Sequence, residues 1–373
     1  MSGAPLNSDP FVSLGNTPED NLVQACPKEY TFGGNTYRVV KILGVGGYNV
    51  AFQCSETSRD KGRILVAVCG KQTLSWNDCF QLNNQPKPRQ DLEIVNYITR
   101  RKIESPPQFE CFFTETLGGD YLPSGNNFYK VSYMPIYNGG TVGKWGYNGG
   151  DPEDRYIPPV SVVARFIRQI LGALHWLSHN HGDRMIRHAD IHGGNIFMHF
   201  PGWDTENDRP YPPNFYLGDW DLAKFYNLDP TNRLLFADRR DRAIQTDFNF
   251  LQAFISSLCS YVEYGQTTGI RGTGQYPCGN IVWDRLEALQ YATSSRQRDV
   301  SNTDAPLPGQ PPRPHLADFS DLIESAHELE HLTDRGGDED PLKYEIASTI
   351  WFDFYHTRYL NATKSAGRPA YPV

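Results

Sequence analysis

Residues 161–182, "SVVARFIRQILGALHWLSHNHG", constrain the fold of this chain more than any other stretch. Val163, Phe166, Ile167, Ile170, Leu171, Leu174 and Leu177 recur at the three- and four-residue spacing of a helix with a broad apolar face. Such a helix must be covered by protein, so a helical lobe begins here. Two further long helices are predicted downstream. "DFNFLQAFISSLCSYVEY" is apolar nearly throughout and therefore central, and "PLKYEIASTIWFDFYHTRYL" follows near the C-terminus. Between them, residues 294–315, "SSRQRDVSNTDAPLPGQPPRPH", are dense in Pro, Ser and charge and read as a long exposed loop.

Upstream the pattern changes. From Tyr30 to about residue 135, the runs "YRVVKIL", "NVAFQCS", "RILVAVC" and "FYKVSYM" are β-branched and apolar, and Gly-rich or charged turns separate them. A single helical pattern, "RQDLEIVNYITRRK", interrupts them. The expected fold class is α+β: a small antiparallel β-rich lobe over residues 31–135, then a mainly helical lobe over 136–373. Residues 1–30, rich in Pro, Gly, Asn and Ser, read as a flexible tail.

With 39% hydrophobic and 13% aromatic residues, the 373-residue chain can build a large core and is too apolar for a disordered protein. Its formal charge of -8 argues against nucleic acid as a main partner. Seven scattered cysteines, never in a C-x-x-C pair, read as mostly reduced thiols. The N-terminus lacks a basic region followed by an apolar run, and no run of about 18 apolar residues follows elsewhere. The expected location is therefore cytoplasmic or nuclear, with no membrane partner.

The chemistry-bearing residues come in a fixed order. "ILGVGGYNVAF" places Gly44, Gly46 and Gly47 between two predicted strands, where a hairpin can fold close over a phosphate. The next strand ends in Lys71 and the next helix carries Glu93; a lysine held by a glutamate can grip phosphates. In "RHADIHGGNIF", Asp190 is a carboxylate suited to orient a hydroxyl and accept its proton, and Asn195 offers an amide oxygen to Mg2+. In "FYLGDWDLAKF", Asp219 offers a hard carboxylate ligand. Ile196, Phe197, Phe215 and Leu217 predict the two strands that hold these ligands.

In that order "LGVGG", Lys71, Glu93, "VSYMPIYNGGTV", "HADIHGGN", "GDWD" and a helix opening at Asp247 resemble the protein-kinase-like fold over about residues 37–264. With D-W-D in place of D-F-G, the chain is similar to kinase-like proteins of filamentous fungi. The resemblance implies a site for ATP and Mg2+. Gly44, Gly46 and Gly47 would cover the phosphates, Lys71 with Glu93 would position them, and Tyr133 to Tyr137, with Met134, would form the adenine-binding hinge. Asp190 would be the catalytic base, Asn195 and Asp219 would hold Mg2+, and buried Asp247 would brace the loop. The implied reaction is transfer of the γ-phosphoryl group to a hydroxyl, that of a protein Ser or Thr.

Several positions depart from the pattern. Asn49 stands in place of the third glycine, and a strict V-A-x-K register puts Cys69 at the lysine position. Residues two apart share a strand face, which keeps Lys71 within reach. Ala189 replaces the arginine that binds a phosphorylated activation loop, and His192 stands where a lysine or arginine contacts the transferring phosphate. Only 28 residues separate Asp219 from Asp247, with no A-P-E motif for peptide docking. These departures leave two alternatives. One is a small-molecule kinase of the aminoglycoside or choline type, whose loops resemble H-x-D-x-H-x-G-N followed by D-W-D. The other is a pseudokinase that binds nucleotide or acts as a scaffold. A separate motif, "HELEH" at His327–His331, matches the H-E-x-x-H zinc pattern. Its surroundings, with Phe319, Leu322, Ile323 and Leu329, predict an acidic amphipathic helix whose histidines pack or face solvent.

Overall fold

The computed structural model describes residues 15, 17–57, 63–144, 158, 160–179, 184–201, 212–227, 247–256, 280–301 and 319–334. The chain divides into two compact units. The first includes the chain up to Val95 and Glu115–Tyr137, and the second includes Asn96–Thr114 and Asn138–Thr357. The first is β-rich and antiparallel and the second mainly helical, the α+β class expected from the pattern of apolar runs.

The first unit opens with helix α1 (Pro18–Ala25), started by a reciprocal capping box between Thr17 and Asp20 and by Pro18 at its first position. Strands β1 (Glu29–Phe32), β2 (Asn35–Val45), β3 (Asn49–Glu56) and β4 (Ile64–Leu74) follow as an antiparallel run. A helical turn, α2 (Trp76–Cys79), and helix α3 (Gln90–Glu104) come next; the first unit takes α3 only up to Val95. Strand β5 (Phe112–Phe113) belongs to the second unit, and β6 (Gly118–Ser124) and β7 (Asn127–Met134) complete the sheet in the order β1-β2-β3-β4-β7-β6.

The two faces of this sheet differ. One carries Phe52, Ala67, Cys69, Val131 and Tyr133 and is closed by Val23, Cys26 and Tyr30 from the start of the chain. The other is half open: along β7, buried Tyr129, Val131 and Tyr133 alternate with partly exposed Phe128, Lys130, Ser132 and Met134. The expectation of a flexible tail over residues 1–30 is thus corrected for 17–30. A sheet with one apolar face needs a cover, and Val23, Cys26 and Tyr30 supply it. Residues 1–14 lie outside the described residues.

In the second unit a four-stranded sheet runs β5-β11-β10-β8, with β8 at Gly140–Thr141, β10 at Ile196–His199 and β11 at Asn214–Leu217. A two-stranded ribbon pairs β9 (Arg184–Arg187) with β12 (Lys224–Asn227). Helix α4 (Val160–His179) is the helix expected from the apolar spacing of residues 161–182; of the segment expected to be central, residues 247–256 are helical and the rest lies outside the described residues. By length and composition alone α4 could cross a membrane, but 83% of its apolar stretch is buried in the protein, so its faces are used by the core. Around it lie α5 (residues 247–256), α6 (Asn280–Ser301) and α7 (Ser320–Asp334). Residues 294–301 of the expected loop are the last two turns of α6; the rest of that loop and the helix predicted over 341–360 lie outside the described residues.

Helices α4 and α7 are joined by ions as well as apolar side chains. Glu330 accepts hydrogen bonds from Arg165 (2.8 Å) and Arg168 (2.7 Å), and its side chain is only 8% exposed. Arg168 also meets Glu110 at 2.6 Å. Removing one member of a buried charged group leaves its partners uncompensated, a loss of about 3 kcal/mol or more. Glu330→Ala should therefore lower the denaturant midpoint by that equivalent, whereas Glu324→Ala, on the exposed side of α7, should leave it nearly unchanged. Equal midpoints for both variants would remove this network from the stabilising interactions.

Candidate active site

The loop after β9 is shaped by a carboxylate that lies far from it in sequence. Asp247, 2% exposed at the start of α5, accepts hydrogen bonds from the backbone amides of His188 and Ala189, both at 2.8 Å. This holds Ala189 at φ 67°, a left-handed angle that costs a non-glycine residue about 1 kcal/mol or more. His188, fully buried, carries the brace onward. Its Nε2 meets the carbonyl of Gly218 at 2.9 Å, while its Nδ1 accepts from the Asp190 amide at 3.3 Å. Those partners fix the tautomer with the proton on Nε2. Burial lowers the His188 pKa to about 4, so the ring is neutral at pH 7.

Asp190 stands at the turn with its side chain about one-third exposed. The Asn195 side-chain amide donates to the Asp190 carboxylate at 2.9 Å and to its backbone carbonyl at 3.0 Å. Both donors of the amide are thereby aimed at Asp190, and its oxygen is the atom left to meet a cation. His192 accepts from the Gly194 amide through Nδ1, and its Nε2 lies 3.6 Å from the Asp190 carboxylate. Gly193 packs so closely on Gly143 that an added Cβ would fall 2.8 Å from the Gly143 Cα; here the glycine is a packing requirement.

Asn195 immediately precedes β10, which pairs with β11 in the register Ile196 with Leu217. The Gly218 amide donates to the Asn195 carbonyl at 2.9 Å, placing the turn at Asp219 beside the end of the loop. Asp219 is half-buried and, like Ala189, has positive φ, 62°. Trp220 anchors this turn. It is buried, lies 4.8 Å from the His188 ring and donates to the Thr114 hydroxyl at 3.3 Å. The structure thus brings Asp190, His192, Asn195 and the Asp219 turn together. Asn195 and the Asp219 carboxylate are the hard oxygen donors that suit Mg2+, with exposed Asp221 two residues on. Sequence reading found these residues but missed Thr114, whose side chain would collide with any Cβ at Gly218.

In the first unit the glycines form the predicted hairpin between β2 and β3, with the Gly46 amide donating to the Asn49 carbonyl at 2.8 Å. A Cβ at Gly44 or Gly47 would meet nothing within 4 Å. The fold itself does not demand glycine there.

The expected Lys71–Glu93 pair is not made. Lys71 Nζ sits 2.5 Å from the Glu19 carboxylate on α1, and Glu93 is exposed to solvent. The reason is the side of the sheet: Lys71 does share a face with Cys69, and that is the face covered by the N-terminal segment. Tyr133, the first residue of the hinge expected over Tyr133 to Tyr137, also points into this closed core, 5.0 Å from the Phe32 ring, whereas Met134 lies on the half-open face. The acid that α3 does bring to the half-open face is Asp91. It pairs with Arg89 at 2.5 Å and lies 3.6 Å from Lys130. Burial raises the Asp91 pKa, but the hydrogen bonds and charge of Arg89, then the charge of Lys130, outweigh it and hold the carboxyl below its ordinary range. Nothing in the local sequence pattern marked this cluster.

In the H-E-x-x-H segment, the Nε2 atoms of His327 and His331 are 3.2 Å apart on an exposed face of α7. Glu328 lies 3.9 Å from Arg285, and among the described residues no group of three potential ligands is present. The segment is an amphipathic helix with buried Phe319, Leu322, Ile323 and Leu329, as expected.

No family model matches the chain, and no curated protein matches it. It is similar to the crystal structure of the BubR1 kinase domain, at 12% identity and a TM-score of 0.46, over 90% of this chain and 89% of that one. A likeness so distant assigns no residue a role.

Two buried groups at this loop give stability opposite dependences on pH. Burial raises the Asp247 pKa to about 6, against the lowering effect of the two amides. Its folded pKa exceeds its unfolded value, so its contribution is present below about pH 4 and is lost as pH rises through 6. His188 does the reverse: its contribution is present above its ordinary value near 6.5 and is lost as pH falls through 4. Between pH 4 and 6.5 the two oppose each other and the wild-type slope should be small. Asp247→Asn removes one, and its stability should rise with pH across that window by up to about 3 kcal/mol, the worth of a shift of roughly two units. Parallel wild-type and variant profiles from denaturation at pH 4.5, 5.5 and 6.5 would contradict this assignment.

Proposed function

We propose that the chain is a kinase-like phosphotransferase that binds ATP with Mg2+ and transfers the γ-phosphoryl group to a hydroxyl, the acceptor being a protein Ser or Thr. The single observation that carries the reading is the Asp190–Asn195 arrangement. One carboxylate is oriented by an amide whose remaining oxygen, with Asp219, suits a hard cation. When bound, Mg2+ would neutralise the charge of the phosphates. The residues of the chain do the rest. Asp190, with part of its carboxylate open to solvent, orients the acceptor hydroxyl and takes its proton. The Asp247 and His188 hydrogen bonds fix the loop that presents it. In the first unit, Gly44, Gly46 and Gly47 would cover the phosphates, with open space beside Gly44 and Gly47, and Met134 lies on the face that would meet the base. A cytoplasmic or nuclear location, with neither nucleic acid nor membrane as partner, goes with this reading.

A second reading, a pseudokinase that binds nucleotide or acts as a scaffold, is favoured by one specific observation: Lys71 is engaged by Glu19, and Glu93 faces solvent. Turnover separates the two. Asp190→Asn should lower phosphoryl transfer to a Ser/Thr peptide library or a small-molecule hydroxyl panel by about 10²- to 10⁴-fold while leaving ATP affinity within a few-fold. Asp219→Asn should instead raise the Mg2+ concentration needed for turnover. Wild-type protein with no transfer to any acceptor, yet with Mg2+-dependent ATP binding, would select the pseudokinase.

A further inference from the structure

We propose that His327 and His331 on α7 form a binding site for one late first-row transition-metal dication, Zn2+ or Cu2+, with water in the remaining coordination positions. The inference is independent of the phosphotransferase reading and concerns a motif that reading does not use.

Helical spacing carries the first part. Residues four apart lie one above the other on a helix, so the two imidazoles project from successive turns of one exposed side of α7. Their Nε2 atoms face each other 3.2 Å apart, and the ring planes cross at 77°. Two metal–nitrogen bonds of about 2.05 Å, ending on nitrogens 3.2 Å apart, enclose an angle of about 103°, close to tetrahedral. The nitrogens therefore already have the separation that two neighbouring ligands of one metal require. The same separation suits one N–H···N hydrogen bond, in which one ring donates and the other accepts. On an exposed helix face water competes for both atoms, so little is lost when a dication replaces that shared proton.

Charge and donor type carry the second part. Glu324 and Glu328, both exposed, stand three residues before His327 and His331 respectively, and residues at that spacing are neighbours on a helix surface. They favour a dication there; the cation that faces them is Arg285 of α6, 3.9 Å from Glu328. Imidazole nitrogens suit Zn2+ and Cu2+, whereas Mg2+ takes oxygen donors, so this pair and the oxygens of Asn195 and Asp219 select different metals. Among the described residues no group of three ligands is present, which leaves positions for water. A metal held by both rings ties together the two turns that flank Glu330, the buried acid that joins α7 to Arg165 and Arg168 of α4.

The test is titration of the full chain with Zn2+, read by calorimetry and by the ring resonances of isotope-labelled histidine, for wild-type protein, His327→Gln and His331→Gln. Both side chains are exposed, so neither variant removes core packing. In the wild type the His327 and His331 resonances should move together and saturate at one equivalent of Zn2+, while excess Mg2+ moves neither. Each variant should weaken Zn2+ by about a hundredfold or more, above the loss that removal of an outer-shell partner causes. Its remaining ring should then stay unmoved at one equivalent. Saturating Zn2+ should raise the melting temperature of the wild type and of neither variant, because the metal binds the folded helix. Tight Zn2+ binding that survives in both variants places the metal elsewhere and overturns the site. Movement of one ring without the other, or a wild-type melting temperature that Zn2+ leaves unchanged, overturns it as well.

Discussion

The carboxylate of Asp247, withdrawn from water at the start of α5, accepts the successive amides of His188 and Ala189, and the geometry of the site follows from that contact. A buried carboxylate with two amide donors is satisfied, and the two amides, pointing the same way, force the chain into the left-handed turn at Ala189. Asp190 is presented by that turn. The same loop then reaches Gly218 through His188, so the residue that braces Asp190 also fixes the origin of the Asp219 turn. Two strained residues, Ala189 and Asp219, are thus held by one continuous set of hydrogen bonds. Neither His188 nor Asp247 needs to touch a substrate to matter.

The charge states of these two groups suit that role. Burial keeps His188 uncharged at neutral pH, so it can donate one hydrogen bond and accept another without carrying charge into the core. Asp247, with its pKa raised only to about 6, remains mostly ionised at pH 7 and keeps both amides. Trp220 complements the polar brace with packing. Its ring lies against His188 and Phe113 and its N–H reaches Thr114, which fixes the turn that the D-W-D sequence makes.

The legible parts were those written in local sequence. Helix α4 could be read because its apolar spacing has one solution, and the nearness of Asn195 to the Asp219 turn because Ile196, Phe197, Phe215 and Leu217 mark two short strands that pair between them. The paired face of Cys69 and Lys71 was also legible, since alternation is a local property. Which side of the sheet that face becomes was not. It depends on Val23, Cys26 and Tyr30, whose contacts with β3, β4 and β7 cross long stretches of chain, and on Glu19, which meets Lys71 from α1. Residues 17–30 carry too few apolar residues to show periodicity, yet three well-placed ones suffice to close a sheet. The Arg89–Asp91–Lys130 cluster was hidden for the same reason: its members join a helix start to a strand, and no spacing rule links them.

The central claim is that Asn195 and Asp219 form a hard-cation site beside Asp190. Paramagnetic broadening tests it most directly, with Mn2+ added in place of Mg2+ to isotope-labelled protein in the presence of ATP. The expected result is that the Asn195 side-chain amide and the Asp219 backbone amide broaden first, at substoichiometric metal, and that Asp219→Asn abolishes the effect. Broadening that begins at acidic surface residues elsewhere, with Asn195 and Asp219 unaffected, would contradict the site and the chemistry built on it.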